Sequence, residues 1–315
     1  MKKNLLLAMS LVSMALISCG GGGETKWKIG ICQLAPHEAL DAATNAFIAA
    51  VKEGLGEHRV EIDLQNAAGD TATCSVIANN FVSKKMNLIM ANATPAVQAV
   101  SNATVTIPIL GTSVTEYGVA LGIKDFSGTT GRNVSGTSDL APLDEQAKMI
   151  TEIFPDVDSV ALFYCSSEAN SKYQVDVVKS KLEAAGITAN LASFSDTNDI
   201  SSVLRGAIAN NDLIYIPTDN ACATAAETIA SITKEAKIPV FAGEEGICKT
   251  CGAITLTISY KNIGKKTGEM AVDILKNGKD VSKMAIEYDQ NPVKKYNKSI
   301  CEELGITVPS DYVEL

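Results

Sequence analysis

Short apolar runs rich in β-branched residues alternate with longer amphipathic segments along most of this chain. The short runs predict strands and the longer segments predict helices. In the first half, strands are predicted at 28–32, 60–64, 87–91 and 107–111, with helices at 40–55, 70–83 and 95–101. In the second half, strands are predicted at 160–164, 188–194, 212–216 and 238–241, with helices at 170–185, 199–209 and 221–236. Such alternation predicts βαβ units and therefore a parallel sheet in each half.

The two halves share one plan, and the matching strands that begin at Ile107-Pro108 and Ile238-Pro239 are one example. We therefore expect an α/β fold of two doubly wound parallel-sheet lobes, joined by a hinge near 137–140. The tail is predicted to contain a helix at 264–275 and a last helix that ends near Leu304. The expected division places 27–139 and about 262–280 in the first lobe, and 140–261 and about 281–315 in the second.

The N-terminal residues have the pattern of a secretory signal, with a positive head at Lys2 and Lys3 before the apolar run 5–17. That run is shorter than the roughly 20 apolar residues that span a bilayer. Leu16-Ile17-Ser18-Cys19 resembles the bacterial lipobox, in which the cysteine receives acyl chains such as palmitate and becomes the new N-terminus. We expect 1–18 to be a lipoprotein signal peptide, and 19–26 to be the lipidated Cys19 with a flexible tether. The folded part would then be anchored to a membrane of the cell envelope and would face the periplasm or the outside.

Composition excludes several classes of function. The net charge is −9 and the only arginines are Arg59, Arg132 and Arg205, which argues against nucleic acid because binding to it depends on neutralising phosphates. Neither a Ser/His/Asp arrangement nor a Gly-rich phosphate loop with a lysine is evident in the sequence, so an enzyme is not expected and no cofactor is implied. His37 lacks a second ligand at metal spacing, so no metal site is expected.

Seven cysteines remain after Cys19, an odd number that leaves at least one thiol unpaired in the monomer. Cys248 and Cys251 have the spacing of a redox or metal motif, but no second pair or histidine completes a zinc site. A local disulfide or two plain thiols is the expectation there. A disulfide between Cys165 and Cys222 is a second hypothesis, because both follow strands that would be neighbours in a 2-1-3 order.

Polar loops follow the predicted strands, and in open parallel sheets ligands bind beyond the carboxyl ends of the strands. These loops are 33–39, 92–95, 112–116, 166–171, 217–220 and 242–245. Helices begin in several of them and offer free backbone N–H groups to an anion such as a ligand carboxylate. Asp219, Glu168 and Glu244 could hold an ammonium, so an amino acid fits this combination. The alternative is that Thr94 and Asp219 only cap helices and that Glu168 is a solvated loop charge.

Several segments make the resemblance to a known family specific. They are Gln33 with 37–41, 66–70, 93–96, 107–108, 114–116, 133–139, 164–171, 216–220 and 238–241. The chain resembles the substrate-binding proteins of ABC importers, in the branch that includes tryptophan- and tyrosine-binding lipoproteins. The resemblance implies a type I periplasmic-binding fold whose lobes close on a small solute, and partners that are an ABC permease and its ATPase. The family usually has proline, aspartate and asparagine where this chain has Glu38, Glu116 and Cys165, which leaves the aromatic specificity open.

The expected ligand is an amino acid, with an aromatic one favoured. A sugar or nucleoside receptor on the same fold is the alternative, and a secreted enzyme is a more distant one. Thr94, Thr115 and Ser171 are expected to bind the carboxylate, and Asp219 the ammonium with help from Glu168 or Glu116. His37, Leu40 and Tyr117 are expected to shape the side-chain pocket. The full expected set is Gln33, His37, Leu40, Thr94, Val114, Thr115, Glu116, Tyr117, Glu168, Asn170, Ser171, Asp219, Asn220 and Glu244.

Overall fold

The structure, a computed structural model, describes residues 26–315. The predicted signal peptide, Cys19 and the tether up to residue 25 lie outside the described residues. Within the described residues, no helix combines the length and the apolar character needed to cross a membrane.

The described chain alternates strands and helices in the predicted order. The strands are β1 (Trp27–Gln33), β2 (Val60–Asn66), β3 (Leu88–Asn92), β4 (Ile109–Val114), β5 (Val134–Ser138), β6 (Ser159–Cys165), β7 (Thr188–Phe194), β8 (Leu213–Ile216), β9 (Val240–Ala242), β10 (Ile254–Thr257), β11 (Glu287–Tyr288), β12 (Val293–Tyr296) and β13 (Val313–Glu314). The helices are α1 (Glu38–Leu55), α2 (Thr71–Ser83), α3 (Thr94–Ala103), α4 (Tyr117–Leu121), α5 (Leu143–Ile153), α6 (Ala169–Ala184), α7 (Ile200–Ile208), α8 (Asn220–Thr224), α9 (Ala226–Ala236), α10 (Glu245–Thr250), α11 (Tyr260–Asn277) and α12 (Lys298–Leu304).

The first lobe is built on a six-stranded parallel sheet in the order β11-β5-β4-β3-β1-β2. The interior strand β3 is buried along its whole length, as expected for a parallel strand covered on both faces. The edge strand β2 alternates between more and less exposed positions. Helices α1 and α11 cover one face of the sheet and α2 and α3 cover the other.

The second lobe is built on a seven-stranded sheet in the order β13-β12-β10-β9-β8-β6-β7. Its strands are parallel except at the β10–β12 pair, which is antiparallel. Helices α5, α6 and α12 cover one face, and α7, α9 and α10 cover the other. The local order β7-β6-β8 is the 2-1-3 arrangement that the sequence predicted.

The chain passes between the lobes three times, after β5, after β10 and after β11. The backbone N–H of Ser259 in the second passage donates to Asp289 Oδ2 in the third at 2.9 Å, so these two segments are tied together. The expected boundary near residue 281 is wrong. Val281 and Met284 pack in the core of the first lobe, and β11 pairs with β5, so the first lobe extends to Tyr288.

Most predicted elements are present with slightly different ends, and a few differ in kind. The segment predicted as one helix at 221–236 contains two, α8 and α9, which meet at Ala225. Helix α11 begins at Tyr260, earlier than predicted, because Ser259 caps it by accepting from the N–H of Asn262. Asp70 caps α2, since its carboxylate accepts from the N–H of Ala72 at 2.8 Å.

Candidate functional site

The carboxyl ends of the two sheets face each other around a small interlobe cavity. Each sheet contributes loops that follow its strands, and the passages between the lobes close one side. The lining residues are His37, Leu40, Ser113, Thr115, Asp139, Asn170, Thr218, Asp219, Asn220, Ala223, Glu244 and Tyr260. This is the edge of a parallel sheet where ligands usually bind.

Two buried carboxylates hold together the loops that form the second lobe's side of the cavity. Asp219 follows β8 and accepts from the backbone N–H of Cys222 at 2.8 Å and of Cys165 at 2.7 Å. Glu168 follows β6 and accepts from the backbone N–H groups of Asn220 at 3.1 Å and Ala221 at 2.9 Å. These bonds join the ends of β6 and β8, so each acid positions the loop of the other.

Burial and neighbouring charges raise the pKa values of two buried acids on this side of the cavity. Burial, with repulsion from Asp219 as the next cause, raises the pKa of Glu168 to about 7 against the hydrogen bonds that it accepts. Glu244 follows β9 and caps α10 by accepting from the N–H groups of Gly246 and Ile247. Burial raises its pKa to about 7 as well. A cation that enters the cavity would stabilise the ionised form of these carboxylates.

A third buried acid lies at the hinge. Asp139 directly follows β5, where the chain first leaves the first lobe. Thr115 Oγ donates to one of its carboxylate oxygens and the Tyr260 hydroxyl donates to the other, both at 3.0 Å. Burial raises the pKa of Asp139 to about 6 despite these two hydrogen bonds. Asp139 therefore connects β4, the first passage and the start of α11.

Several buried polar atoms near these loops lack a hydrogen-bond partner in the described part of the chain. Thr94 Oγ and Ser113 Oγ are unpaired at the ends of the adjacent strands β3 and β4. Asn170 Oδ1 at the start of α6 is unpaired as well, although its Nδ2 donates to Glu168, Ser171 and Thr218. An unpaired buried polar group is costly, so these atoms are suited to a bound ligand.

The structure brings half of the expected set to the cavity. The expected residues that line it are His37, Leu40, Thr115, Asn170, Asp219, Asn220 and Glu244. Glu168, Ser171 and Thr94 lie behind this lining, where Ser171 Oγ accepts from Asn170 Nδ2 at 3.2 Å.

Four expected residues have other roles in the first lobe. Tyr117 is 1% exposed in the core and donates to the carbonyl of Thr137, so its expected place in the pocket is wrong. Val114 belongs to the same core. Glu116 turns to the start of α4, where it accepts from two backbone N–H groups. Gln33 accepts from Thr44 and donates to Asp41, which fixes the turn into α1.

The sequence reasoning missed five of the lining residues, namely Ser113, Asp139, Thr218, Ala223 and Tyr260. Asp139 is the last residue of a segment that carried the family resemblance, which was the available signal. Tyr260 was hidden because the helix that it begins was predicted to start later. Ser113 has a positive φ of 54°, a backbone conformation that the local sequence does not predict.

Two contacts join the lobes across the cleft. His37 Nε2 lies 3.3 Å from Asn220 Oδ1, and Lys249 forms an ion pair of 3.0 Å with Glu38. Burial lowers the pKa of His37, and the contact with Asn220 opposes this shift. Both contacts start at the beginning of α1, so the lobes touch beside the cavity, which is a closed arrangement.

The seven cysteines of the described chain are free thiols, and each of them is buried. Cys248 and Cys251 are thus plain thiols near the end of α10, and burial raises the pKa of Cys251 to about 12. Cys165 Sγ lies 3.0 Å from Ser167 Oγ and is not bonded to Cys222. Within residues 26–315 no group of His, Cys, Asp and Glu side chains forms a metal site.

The family of ABC transporter substrate-binding proteins has a profile that matches residues 28–314 of this chain. The chain belongs to this family. As a substrate-binding protein it is an extracytoplasmic receptor and not an enzyme, and it supplies a small molecule to a permease and its ATPase. These expectations from the sequence are confirmed.

Relatives of this substrate-binding protein agree with that membership. A tyrosine-binding protein of Clostridioides difficile (strain R20291) is 34% identical over 260 residues, which are 82% of this chain and 75% of that protein. The structure of an ABC domain from Streptococcus pneumonia in complex with L-Trp is 29% identical, covers 92% of this chain and 99% of its own, and superposes with a TM-score of 0.88. The predicted type I periplasmic-binding fold is confirmed.

A third relative bears on the arrangement of the lobes. The ligand-free, open structure of a substrate-binding protein with adhesive properties from Clostridium difficile is 37% identical and covers 91% of this chain and 99% of its own. Its TM-score is only 0.69, although its sequence is more similar than that of the L-Trp complex. The lower score agrees with a closed arrangement of the lobes in this substrate-binding protein.

Proposed function

We propose that this substrate-binding protein captures an α-amino acid, with an aromatic side chain favoured, and that Cys19 anchors it to a membrane by a lipid. The observation that carries the ligand assignment is the charge of the interlobe cavity. Asp139, Asp219 and Glu244 line it, and among the described residues that line it none is lysine or arginine. A cavity with three carboxylates and no basic side chain is suited to a ligand that brings a cation, as an amino acid does.

The first lobe offers donors for the carboxylate of the same ligand. The hydroxyl group of Ser113 lines the cavity and that of Thr94 lies behind the lining; both are buried and unpaired, and each can donate to an anion. Thr94 is also the first residue of α3, a helix without a side-chain cap, so the N–H groups of Thr94 and Ala96 are available, whereas Pro95 has none. The ligand would then contact donors of the first lobe and acids of the hinge and second lobe, which explains why binding would favour closure.

The preference for an aromatic amino acid is supported by the relatives. One is a tyrosine-binding protein and another was crystallised with L-Trp. His37 before α1, Leu40 of α1 and Ala223 of α8 are cavity residues without a carboxylate, and we assign the ligand side chain to them.

Calorimetry with the full chain and L-tyrosine, L-tryptophan and L-phenylalanine tests this proposal. Two analogues of tyrosine isolate the charges, since tyramine lacks the carboxylate and 3-(4-hydroxyphenyl)propionate lacks the ammonium. We expect an aromatic amino acid to bind, and each analogue to bind at least about 100-fold more weakly, because a charged hydrogen bond is worth roughly 1.5–3 kcal/mol and a buried acid would lose its partner. Binding of sugars or nucleosides alone, or undiminished binding of the analogue without an ammonium, would refute the proposed ligand.

The lipid anchor is tested separately through Cys19. Substitution Cys19→Ala should leave ligand affinity unchanged and release the protein from the membrane fraction, because the residue lies outside the described lobes. Membrane retention of that variant would contradict the anchor and leave the ligand proposal intact.

A further inference from the structure

Cys32 of β1 and Cys74 of α2 occupy facing positions in the first lobe. Side chains alternate between the two faces of a strand, so Cys32 points to the same face as Gly30. A Cβ at Gly30 would lie 2.7 Å from the ring of Phe81, so α2 lies directly on this face. The buried residues of α2 recur at the spacing of one helix face and include both Cys74 and Phe81.

The direction of α2 then determines which end of β1 each residue meets. The loop before α2 is tied to the carboxyl end of β1, since the N–H of Ala67 donates to the Gln33 carbonyl at 2.9 Å and that of Gly69 to the Leu34 carbonyl at 2.8 Å. Cys74 is in the first turn of α2, next to this loop, and Cys32 is the residue before Gln33. Both cysteines are fully buried in the same core cluster.

The two thiols also lie close enough to affect each other's ionisation. This contact, together with burial, raises the pKa of Cys32, and the same contact lowers the pKa of Cys74. Cys74 lies where the start of α2 can open locally, as helix ends do, so it is the thiol that an oxidant reaches first.

We propose that Cys32 and Cys74 form a disulfide in the extracytoplasmic protein by exchange with a disulfide oxidant, either a small molecule or a thiol oxidoreductase. The Cys74 thiolate attacks one sulfur of the oxidant, which forms a mixed disulfide and expels one thiolate. Cys32 then loses its proton and attacks the sulfur of Cys74, which expels the second thiolate. The pair loses two protons and two electrons in total, and the oxidant is reduced to two thiols.

The bond would attach the start of α2 to the end of β1, beside the loop that leads into the interlobe cavity. Neither cysteine lines that cavity, so we expect oxidation to stabilise the first lobe without changing ligand affinity. The proposal depends on the extracytoplasmic location of the family, because such disulfides persist only in oxidising compartments.

Peptide mapping tests the pairing directly. The reduced full chain is incubated with oxidised glutathione, its remaining thiols are alkylated under denaturing conditions, and it is digested with trypsin without reductant. Cys32 and Cys74 are the only cysteines of the tryptic peptides 29–52 and 60–84, so a linked species of these two peptides identifies the bond. Cys248 and Cys251 fall in different tryptic peptides, 238–249 and 250–261, and would be recognised equally well.

Matched variants distinguish the effect of the disulfide on stability from the effect of losing a buried thiol. Oxidised wild-type protein should melt roughly 5 °C above its reduced form, since a disulfide constrains the unfolded chain. Cys32→Ala should lose this difference, whereas Cys301→Ala, which removes a buried thiol of the second lobe, should retain it. Recovery of both peptides in alkylated form only, or an undiminished difference in Cys32→Ala, would overturn the proposal.

Discussion

Asp219 illustrates how one residue combines a structural and a functional role. The sequence allowed either a helix cap or a ligand for an ammonium, because a carboxylate after a strand and before a helix suits both. The structure shows the cap, and it also shows a bond to the N–H of Cys165, 54 residues away, that no local pattern could indicate. Asp219 also lines the interlobe cavity, so the same carboxylate can hold the loops together and face a ligand.

Substitution Asp219→Ala should therefore reduce both stability and ligand affinity. It leaves the buried N–H groups of Cys165 and Cys222 without their acceptor, so we expect the free energy of unfolding to fall by about 2–4 kcal/mol. Urea denaturation measures this loss. The control is Asp70→Ala, which removes an exposed cap of α2 and should cost less and leave ligand affinity unchanged. Equal losses of stability in the two variants would contradict the expectation that a buried cap contributes more to stability than an exposed one.

Asp139 should make the stability of the ligand-free protein depend on pH. Its pKa of about 6 in the folded state exceeds the usual 3.8, so the folded state favours the neutral acid. The resulting stabilisation is complete below about pH 4 and is lost as the pH rises through 6, and its upper limit is about 3 kcal/mol.

Asp139→Asn imitates the neutral acid and keeps an acceptor for Thr115 or Tyr260. Denaturation at pH 5 and pH 8 should show the variant gaining stability relative to wild type at the higher pH. A difference between the two proteins that does not change with pH would show that Asp139 does not titrate in this range.

At the scale of elements, the pair α1 and α11 decides which lobe the C-terminal segment joins. The two helices pack closely because Gly264 lies against the backbone of Ala43, where a Cβ would overlap the carbonyl oxygen. Gly268 meets Ala50 one turn later. Amphipathic periodicity predicted the existence of α11, and this contact between distant segments is what holds it on the first lobe.

Substitution Gly264→Ala should separate the two helices and destabilise the first lobe. Overpacking of this kind typically costs about 1–3 kcal/mol. The matched control is Gly206→Ala in α7, where a Cβ would meet nothing within 4 Å and should stabilise the helix by about 0.5–1 kcal/mol. Thermal denaturation of both variants tests whether the two changes in stability have opposite signs. A Gly264→Ala variant more stable than wild type would refute the close packing.

Several of the elements that sequence analysis missed are short or poor in large apolar residues, whereas α5 is a regular amphipathic helix that the predicted pattern did not include. Strand β5 is composed of small and polar residues around Gly136, although each position is buried. Helices α4 and α10 each occupy a few residues after a polar cap, too few for a periodic pattern. Their burial depends on the neighbouring strands and on α3 and α9, which is tertiary information that the local sequence lacks.

At the scale of the whole molecule, alternation of strands and helices was sufficient to predict two parallel-sheet lobes, and the carboxyl-end rule located the cavity between them. The rule could not decide which polar residues after each strand would face the cavity. Glu116 and Tyr117 come two and three residues after the end of β4, yet Glu116 caps α4 and Tyr117 is buried in the core. That choice depends on how the chain turns after the strand, and the positive φ at Ser113 is part of this turn.

The closed arrangement predicts how ligand affinity responds to pH. In the ligand-free protein, Glu244 and Asp139 have pKa values of about 7 and 6, so both are increasingly neutral as the pH falls from 8 to 5. A ligand ammonium requires the ionised acids, and binding at low pH must therefore release protons. His37 acts in the same direction, because burial against the second lobe lowers its pKa and protonation would favour opening.

We therefore expect affinity for an aromatic amino acid to fall on the order of ten-fold or more between pH 8 and pH 5, since one pKa unit of coupling is worth a factor of ten. Calorimetry at both values measures the change, and titrations at pH 6 in buffers of different ionisation enthalpy measure the protons released. Asp139→Asn should bind more weakly at pH 8 and show a smaller pH dependence, because it cannot regain a charge. Affinity that rises towards pH 5, or binding without proton release at pH 6, would mean that the buried acids do not face the ligand ammonium.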